Sequence, residues 1–385
     1  MASSPSPSAP LLHRTPLHAL HLEQGGRMVP FAGYDMPVQY RGGIVQEHLQ
    51  TRKSAGLFDV SHMGQLALRP RSGNMADVAA AIETLVPIDV AGLGNGRQRY
   101  GFFTNANGGI LDDLMIANRG DHFFVVVNAS RKDDDEAHLR AHLSSGCMIE
   151  RLDDRALVAL QGPAAEAVLR RLGADVGSMR FLDVRDISVG GIACVAMRSG
   201  YTGEDGFELS VAAAEAEKLA RLLLKDADVG LAGLGARDSL RLEAGLCLYG
   251  SDIDETTSPI EAALEWAIQK SRRAGGVRSG GFPGADRILR EMKDGAPRRR
   301  VGLKPDGRAP IRGGTQLFRS EQDAQPIGRV TSGGFGPSLN APMAMGYVTL
   351  DTAKEGTTLF ADLRGKRVPV QVARLPFVET HYKRD

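Results

Sequence analysis

From His13 to about Lys270 the sequence alternates short strand-like runs with short amphipathic helical ones, and this alternation dictates a mixed α and β fold. Helical periodicity marks Ile44 to Gly56, Ala76 to Leu85, Asp134 to Leu143, Ala164 to Leu172 and Ala214 to Ala227. Between them lie apolar runs such as GQLALRP, RYGFFT, ALVALQG, IACVAMR and GFELSVA. GILDDLMIA and HFFVVVNAS, separated by the polar NRGD, predict a hairpin. Strands that pair as hairpins while helices intervene irregularly point to α+β, not to a doubly wound parallel sheet.

The pattern changes after Lys270. Arginines and lysines crowd the stretch up to Arg300, which also contains SGGFPG and one short helical run, ADRILREMKDG. Beyond Val301 the chain is glycine- and proline-punctuated short strands, the signature of a small β-barrel. The expected organisation is a disordered tail over 1–12, an α+β region over 13–285, a linker over 286–300 and a β-barrel domain over 301–385.

Charge and motif content exclude several functions. Lys plus Arg number 47 and Asp plus Glu 46, a net charge of +1, so no global field recruits nucleic acid or membrane. No stretch approaches the ~18–20 apolar residues of a membrane span. Cys147, Cys194 and Cys247 are odd in number and share no CxxC spacing. That argues against a disulfide framework and a zinc site, and for a reducing compartment. No P-loop, HExxH or GxSxG occurs, and the glycine-rich GLGNGR and GGFGPS both miss the dinucleotide spacing. Aromatic residues make up only 5%, with one Trp and 7 Tyr, so the positions of these flat side chains are informative.

Polar residues in the remaining glycine-rich segments are the candidates for chemistry. Asp112 and Asp113 adjoin in a strand-like run; neighbours on a strand point to opposite faces, so the two cannot share a proton. A turn or edge role is the ordinary reading, and the glycine pair before them favours a site. In GYTGEDGFEL, Glu204 and Asp205 read as hairpin-turn residues. Glu208, inside the following strand, needs a partner if it faces inward, and its carboxylate could accept paired hydrogen bonds from an amino-pyrimidine edge. Arg237, Arg241 and Glu243 lie on a helical pattern, where salt bridging competes with anion binding; Arg237, at the helix start, is the better candidate for a substrate carboxylate. His62 lacks an identifiable partner and reads as structural. Arg298 to Arg300, without interleaved aromatics, reads as a solvated linker or a partner-docking face.

Taken in order, LFDVSHMG, GGILDDL, VNAS, LQGP, GYTGEDGFEL, GARDSLRLEAGLCLYGSDID, LEWAIQK, GRVTSGGFGPSL and LPFVETHY resemble the glycine cleavage T-proteins, the tetrahydrofolate-dependent aminomethyltransferases. The resemblance covers nearly the whole chain from residue 14 onward. It implies a three-lobed particle, two ferredoxin-like α+β lobes and a C-terminal β-barrel-like lobe, with folate in a central channel. The implied reaction moves the methylene carbon of an aminomethyl group from the lipoyl arm of H-protein to tetrahydrofolate. Its products are 5,10-methylenetetrahydrofolate, ammonia and dihydrolipoyl H-protein, with tetrahydrofolate as co-substrate and no metal. By motif position the catalytic Asp is Asp113, the pterin-binding Glu is Glu208, the substrate-contacting Arg is Arg237 and the C-terminal aromatic contact is Tyr382. Met63, Tyr100, Met115, Tyr201 and Trp266 match pocket positions, and Phe181 is a further candidate. The expected particle is a monomer that meets lipoylated H-protein and tetrahydrofolate but no nucleic acid and no membrane. It would work in a bacterial cytoplasm, or in the mitochondrial matrix of a eukaryote. A tetrahydrofolate-dependent demethylase of the same superfamily is the alternative, distinguished by turnover without H-protein.

Overall fold

The strands assemble into a two-stranded ribbon of Arg27–Phe31 and Tyr34–Gln39, two larger sheets and a barrel, and the chain crosses between the two larger sheets at Val60–Met63. The computed structural model describes residues 11–385, so all of the expected tail except Leu11 and Leu12 lies outside the described residues. In the first lobe the sheet runs Arg97–Thr104, Ile110–Asn118, Phe123–Val127, Gly64–Pro70, Cys147–Arg151, antiparallel throughout. The hairpin expected from GILDDLMIA and HFFVVVNAS is present, with Leu114 opposite Val127. Helices Met75–Glu83 and Lys132–Leu143 cover one face of this sheet, burying Val78, Ile82, Leu139 and Leu143 against Leu66, Leu68, Leu114 and Ile116.

The second lobe holds a sheet in the order Val184–Val189, Ile192–Met197, Gly206–Ala212, Arg155–Gln161, Ala55–Asp59, Val229–Leu231, whose last pair is parallel. Helix Ala213–Leu223 buries Ala216, Leu219, Ala220 and Leu223 against it, the spacing of a single helical face. The opposite faces of the two sheets meet in a shared apolar layer of Phe58, Val60, Ala117, Phe124, Leu157, Met197 and Ala236, with Met63 and Met115 packed at its edge. Six strands from Arg298–Pro305 to Lys366–Ala373 then close into a barrel around Val301, Leu303, Leu317, Val348, Leu359 and Val370. Closure leaves no sheet edge open. Among the described residues no helix is long and apolar enough to cross a membrane.

The segment expected as a linker over 286–300 carries most of helix Ala285–Asp294, the short helical run expected there, and the first barrel strand begins at Arg298. Its last three arginines are tied down by partners from elsewhere in the chain. Arg298 pairs with Glu261 at 2.9 Å and Arg299 with Glu265 at 2.6 Å, while the buried Arg300 donates to the carbonyls of Ala262 and Gly245. Upstream, Arg272 and Arg278 converge on Glu83 of the first lobe at 3.2 and 3.0 Å. The counter-charges come from distant parts of the chain, so a local charge count makes this stretch look unpaired when it is stitched down.

Candidate active site

Strand alternation sorts Asp112 and Asp113. Leu114 and Ile116, on the face of Asp112, pack under the helices; Met115 and Ala117, on the face of Asp113, line the layer between the lobes. Asp112 is fully buried, whereas Asp113 is only partly covered. The Asp113 carboxylate accepts the Tyr100 hydroxyl at 3.0 Å on one oxygen and the Asn128 side-chain amide at 2.7 Å on the other. Burial, then the charge of Asp112, pushes Asp113 up to about 7, while the Asn128 and Tyr100 donors work the other way. A carboxyl that titrates near neutrality can both take and return a proton.

Tyr100 stands across the strand pair from Met115, and its ring stacks on Trp266. Trp266 lies in the short 3-10 turn Glu265–Ala267 and is 61% exposed, so the stack forms the solvent-facing end of the site. The phenol of Tyr100 is held well above its ordinary pKa by burial and by the Asp113 charge, and it remains a donor.

A second wall comes from the other lobe. Helix Leu234–Glu243 starts at Gly233, where an added Cβ would meet the Val38 carbonyl at 2.6 Å, and carries Arg237 in its first turn. The Arg237 guanidinium lies 4.7 Å from the Tyr201 ring centroid, a cation–π contact. Burial works against its charge and the Glu208 carboxylate supports it, yet among the described residues no hydrogen bond or ion pair engages it. Glu208, on strand Gly206–Ala212, accepts the Ser199 hydroxyl at 2.9 Å. Tyr201 donates its hydroxyl to the Cys247 carbonyl and feels the charge of Asp113, which ties this wall to the first.

The neighbouring helix residues are structural. Arg241 is locked to Asp252 at 2.7 Å, and Glu243 to His48 and Arg52 at 3.0 Å each. Glu204 and Asp205 correct the hairpin-turn expectation. Strands Ile192–Met197 and Gly206–Ala212 do pair, but a loop over residues 198–205 joins them. The buried Arg198 requires carboxylates there: Asp205 pairs with it, and Glu166 at 2.7 Å, while buried Glu204 pairs with Arg52 at 2.9 Å. His62 is buried with its Nδ1 unpartnered, and burial pushes it down to about 4, leaving a neutral ring between the lobes.

Tyr382 meets side chains other than those that bond to Asp113. Its ring stacks on Phe181 at 4.2 Å, and the adjacent His381 donates its backbone N–H to the Gly203 carbonyl at 2.8 Å. The C-terminal segment therefore closes over the far end of the loop that carries Tyr201. An open groove of about 690 Å³ beside Arg41, Gln46 and Lys225 contains none of these side chains and belongs to a different surface.

Asn128 is the site residue that sequence reasoning missed. Its amide touches both carboxylates, at 2.9 Å for Asp112 and 2.7 Å for Asp113, and its backbone N–H also reaches Asp112 at 3.1 Å. The expected hairpin held the clue, because pairing Leu114 with Val127 sets residue 128 opposite residue 113. Among the described residues no three His, Cys, Asp or Glu side chains are gathered to hold a metal, and the three cysteines are free and buried.

The sequence and fold of this chain match those of known proteins. Residues 17–272 match the GCVT N-terminal domain, and residues 298–379 match the Glycine cleavage T-protein C-terminal barrel domain. The mitochondrial aminomethyltransferase of Dictyostelium discoideum is 43% identical over 390 residues, spanning 97% of this chain and 94% of that protein. The mitochondrial aminomethyltransferase of Flaveria anomala is 45% identical over 381 residues, spanning 96% and 91%. A crystal structure of glycine cleavage system aminomethyltransferase T from Bartonella henselae, 43% identical, superposes with a TM-score of 0.90 over 97% of this chain and 100% of its own. With both of its domains matched and its full architecture shared, the chain belongs to the glycine cleavage T-protein family.

Proposed function

We infer that this chain is the aminomethyltransferase of a glycine cleavage system. It takes the aminomethyl group carried on the lipoyl arm of H-protein and passes the methylene carbon to tetrahydrofolate. The products are 5,10-methylenetetrahydrofolate, ammonia and the dihydrolipoyl arm. The observation that carries this reading is the pairing of Asp113, poised near neutrality between Tyr100 and Asn128, with the unneutralised Arg237 on the facing wall.

Cleavage of the carbon–sulfur bond builds positive charge on the methylene carbon. A fixed carboxylate stabilises that charge at no cost in reorganisation, and Asp113 is held on both oxygens by donors that fix it. The same carboxyl exchanges a proton with the folate nitrogen that attacks. Tyr100 and Tyr201 supply flat faces for the fused and benzoyl rings, with Met63 and Met115 as the apolar floor. Glu208 accepts from the amino-pyrimidine edge, and Arg237 pairs with an anionic group of the substrate. The partners are thus lipoylated H-protein and tetrahydrofolate.

The test is ammonia release from aminomethyl-loaded H-protein with and without tetrahydrofolate. Release that requires both supports the reading. Turnover of a small N-methyl substrate without H-protein would replace it with the demethylase alternative.

A further inference from the structure

Asp112 has a partner that the proposed reaction does not use. It lies on the helix-covered face of strand Ile110–Asn118, directly under the first turn of helix Lys132–Leu143, which brings Asp135 against it. Both side chains are buried, and one Asp135 oxygen meets no donor among the described residues. Two buried carboxylates in contact repel, and the arrangement becomes favourable when one proton lies between them. The first turn of a helix favours the single negative charge that the pair then carries. Asp112 in turn accepts the Asn128 amide at 2.9 Å and its backbone N–H at 3.1 Å, and Asn128 grips Asp113.

We propose that Asp112 and Asp135 share one buried proton and, through Asn128, position the Asp113 carboxylate for the transfer reaction. The pair never touches substrate; it sets the orientation of Asp113 and contributes a single negative charge beneath it. The groups facing the cluster are Asp113 and Tyr100 from the sheet, Arg131 and Asp134 from the helix start, and Tyr249, Tyr201 and Cys247 from the adjoining segments. Burial is the first cause of the raised titration of Asp112, to about 9, and of Asp135, to about 7. Both values fit a pair that retains one proton at neutral pH.

The inference rests on the proposed aminomethyltransferase reading, so wild-type activity with loaded H-protein is measured alongside; a silent wild type counts against that reading and not specifically against this one. An amide at position 112 keeps a donor toward Asp135 and one of the two acceptors toward Asn128. Asp112→Asn is therefore expected to hold kcat within about tenfold, whereas Asp112→Ala lowers kcat on the order of a hundredfold with little change in the KM for tetrahydrofolate. The double variant Asp112→Asn with Asp135→Asn removes the buried charge and moves the acidic limb of the kcat profile to lower pH. Should Asp112→Ala fail to fold, the double variant's pH profile carries the test. Wild-type kcat in Asp112→Ala, equal damage from Asn and Ala, or an unmoved limb in the double variant would each overturn the proposal.

Discussion

The indole of Trp266 lies face to face with the phenol of Tyr100, ring centroids 5.4 Å apart and planes 21° from parallel. The outer face of that indole is open to solvent, and the phenol hydroxyl is bonded to Asp113. A flat ligand bound at Asp113 would lie beside this stack. Trp266 is the sole tryptophan, so its emission reports on this location and no other. Titration with tetrahydrofolate is expected to change Trp266 emission in a saturable way. An unaltered signal under saturating ligand would remove Trp266 from the site.

Tyr100→Phe keeps the stack and deletes the hydrogen bond. That bond favours the ionised form of Asp113, so its loss raises the Asp113 pKa further above the already raised value of about 7. The acidic limb of the kcat profile should move to higher pH, with activity at neutral pH reduced about threefold to tenfold and recovered in alkali. A pH-independent loss would mean that Tyr100 acts only through packing.

Asp113→Asn separates function from stability. Activity should fall by roughly 10²–10⁴, the usual worth of a positioned acid or base, while tetrahydrofolate still binds. The fold should gain. Asp113 titrates at about 7 in the folded chain against 3.8 unfolded, so its stabilising contribution is full below 3.8 and is lost as pH rises through about 7. At pH 8 the amide removes that penalty, and thermal melting should rise by a few degrees relative to wild type. Equal melting temperatures at pH 8 would show that Asp113 is not held against its preference.

Arg237→Met removes a cation whose guanidinium has no hydrogen-bond or ion-pair partner among the described residues. The expected result is a rise of about tenfold to a hundredfold in substrate KM or Kd, with a smaller change in kcat and no loss of thermal stability. Salt-bridged Arg241 offers the contrast: Arg241→Met leaves Asp252 buried without its cation and should cost about 3–5 kcal/mol in stability. If the two variants behave alike, Arg237 is structural.

Local patterns were enough for most of the elements, because they depend on periodicity within a few residues. Helix Ala213–Leu223 and the hairpin of Ile110–Asn118 with Phe123–Val127 follow directly from such runs. Partnerships between distant residues were not legible. Arg298 to Arg300 looked solvated because Glu261, Glu265 and the carbonyls that bind them come from outside the run. Glu204 and Asp205 looked like turn residues because their partners, Arg52 and Arg198, lie on other elements. The site shows the same division. Asp113, Glu208 and Arg237 could be matched by motif position, whereas the role of Asn128 emerges only from strand register and that of Asp135 only from a helix packed across the sheet.

Glu243 links acid stability to the geometry of the site. Its buried carboxylate accepts from His48, Arg52 and the Ser338 backbone, joining helices Ile44–Lys53 and Leu234–Glu243 to the barrel. Burial alone would raise it, but the His48 and Ser338 hydrogen bonds and the Arg52 charge hold it down at about 2. The unfolded chain titrates this group at 4.5, so its stabilising contribution is full above that pH and disappears as pH falls toward about 2. Denaturant melts between pH 5 and pH 3 should therefore show a loss of stability in wild type that is much smaller in Glu243→Gln. Arg237 rides on the same helix as Glu243, so the neutral variant should also raise substrate KM by about threefold to tenfold while kcat holds. A Glu243→Gln protein with unchanged KM and the wild-type acid profile would break the connection between this network and the placement of Arg237.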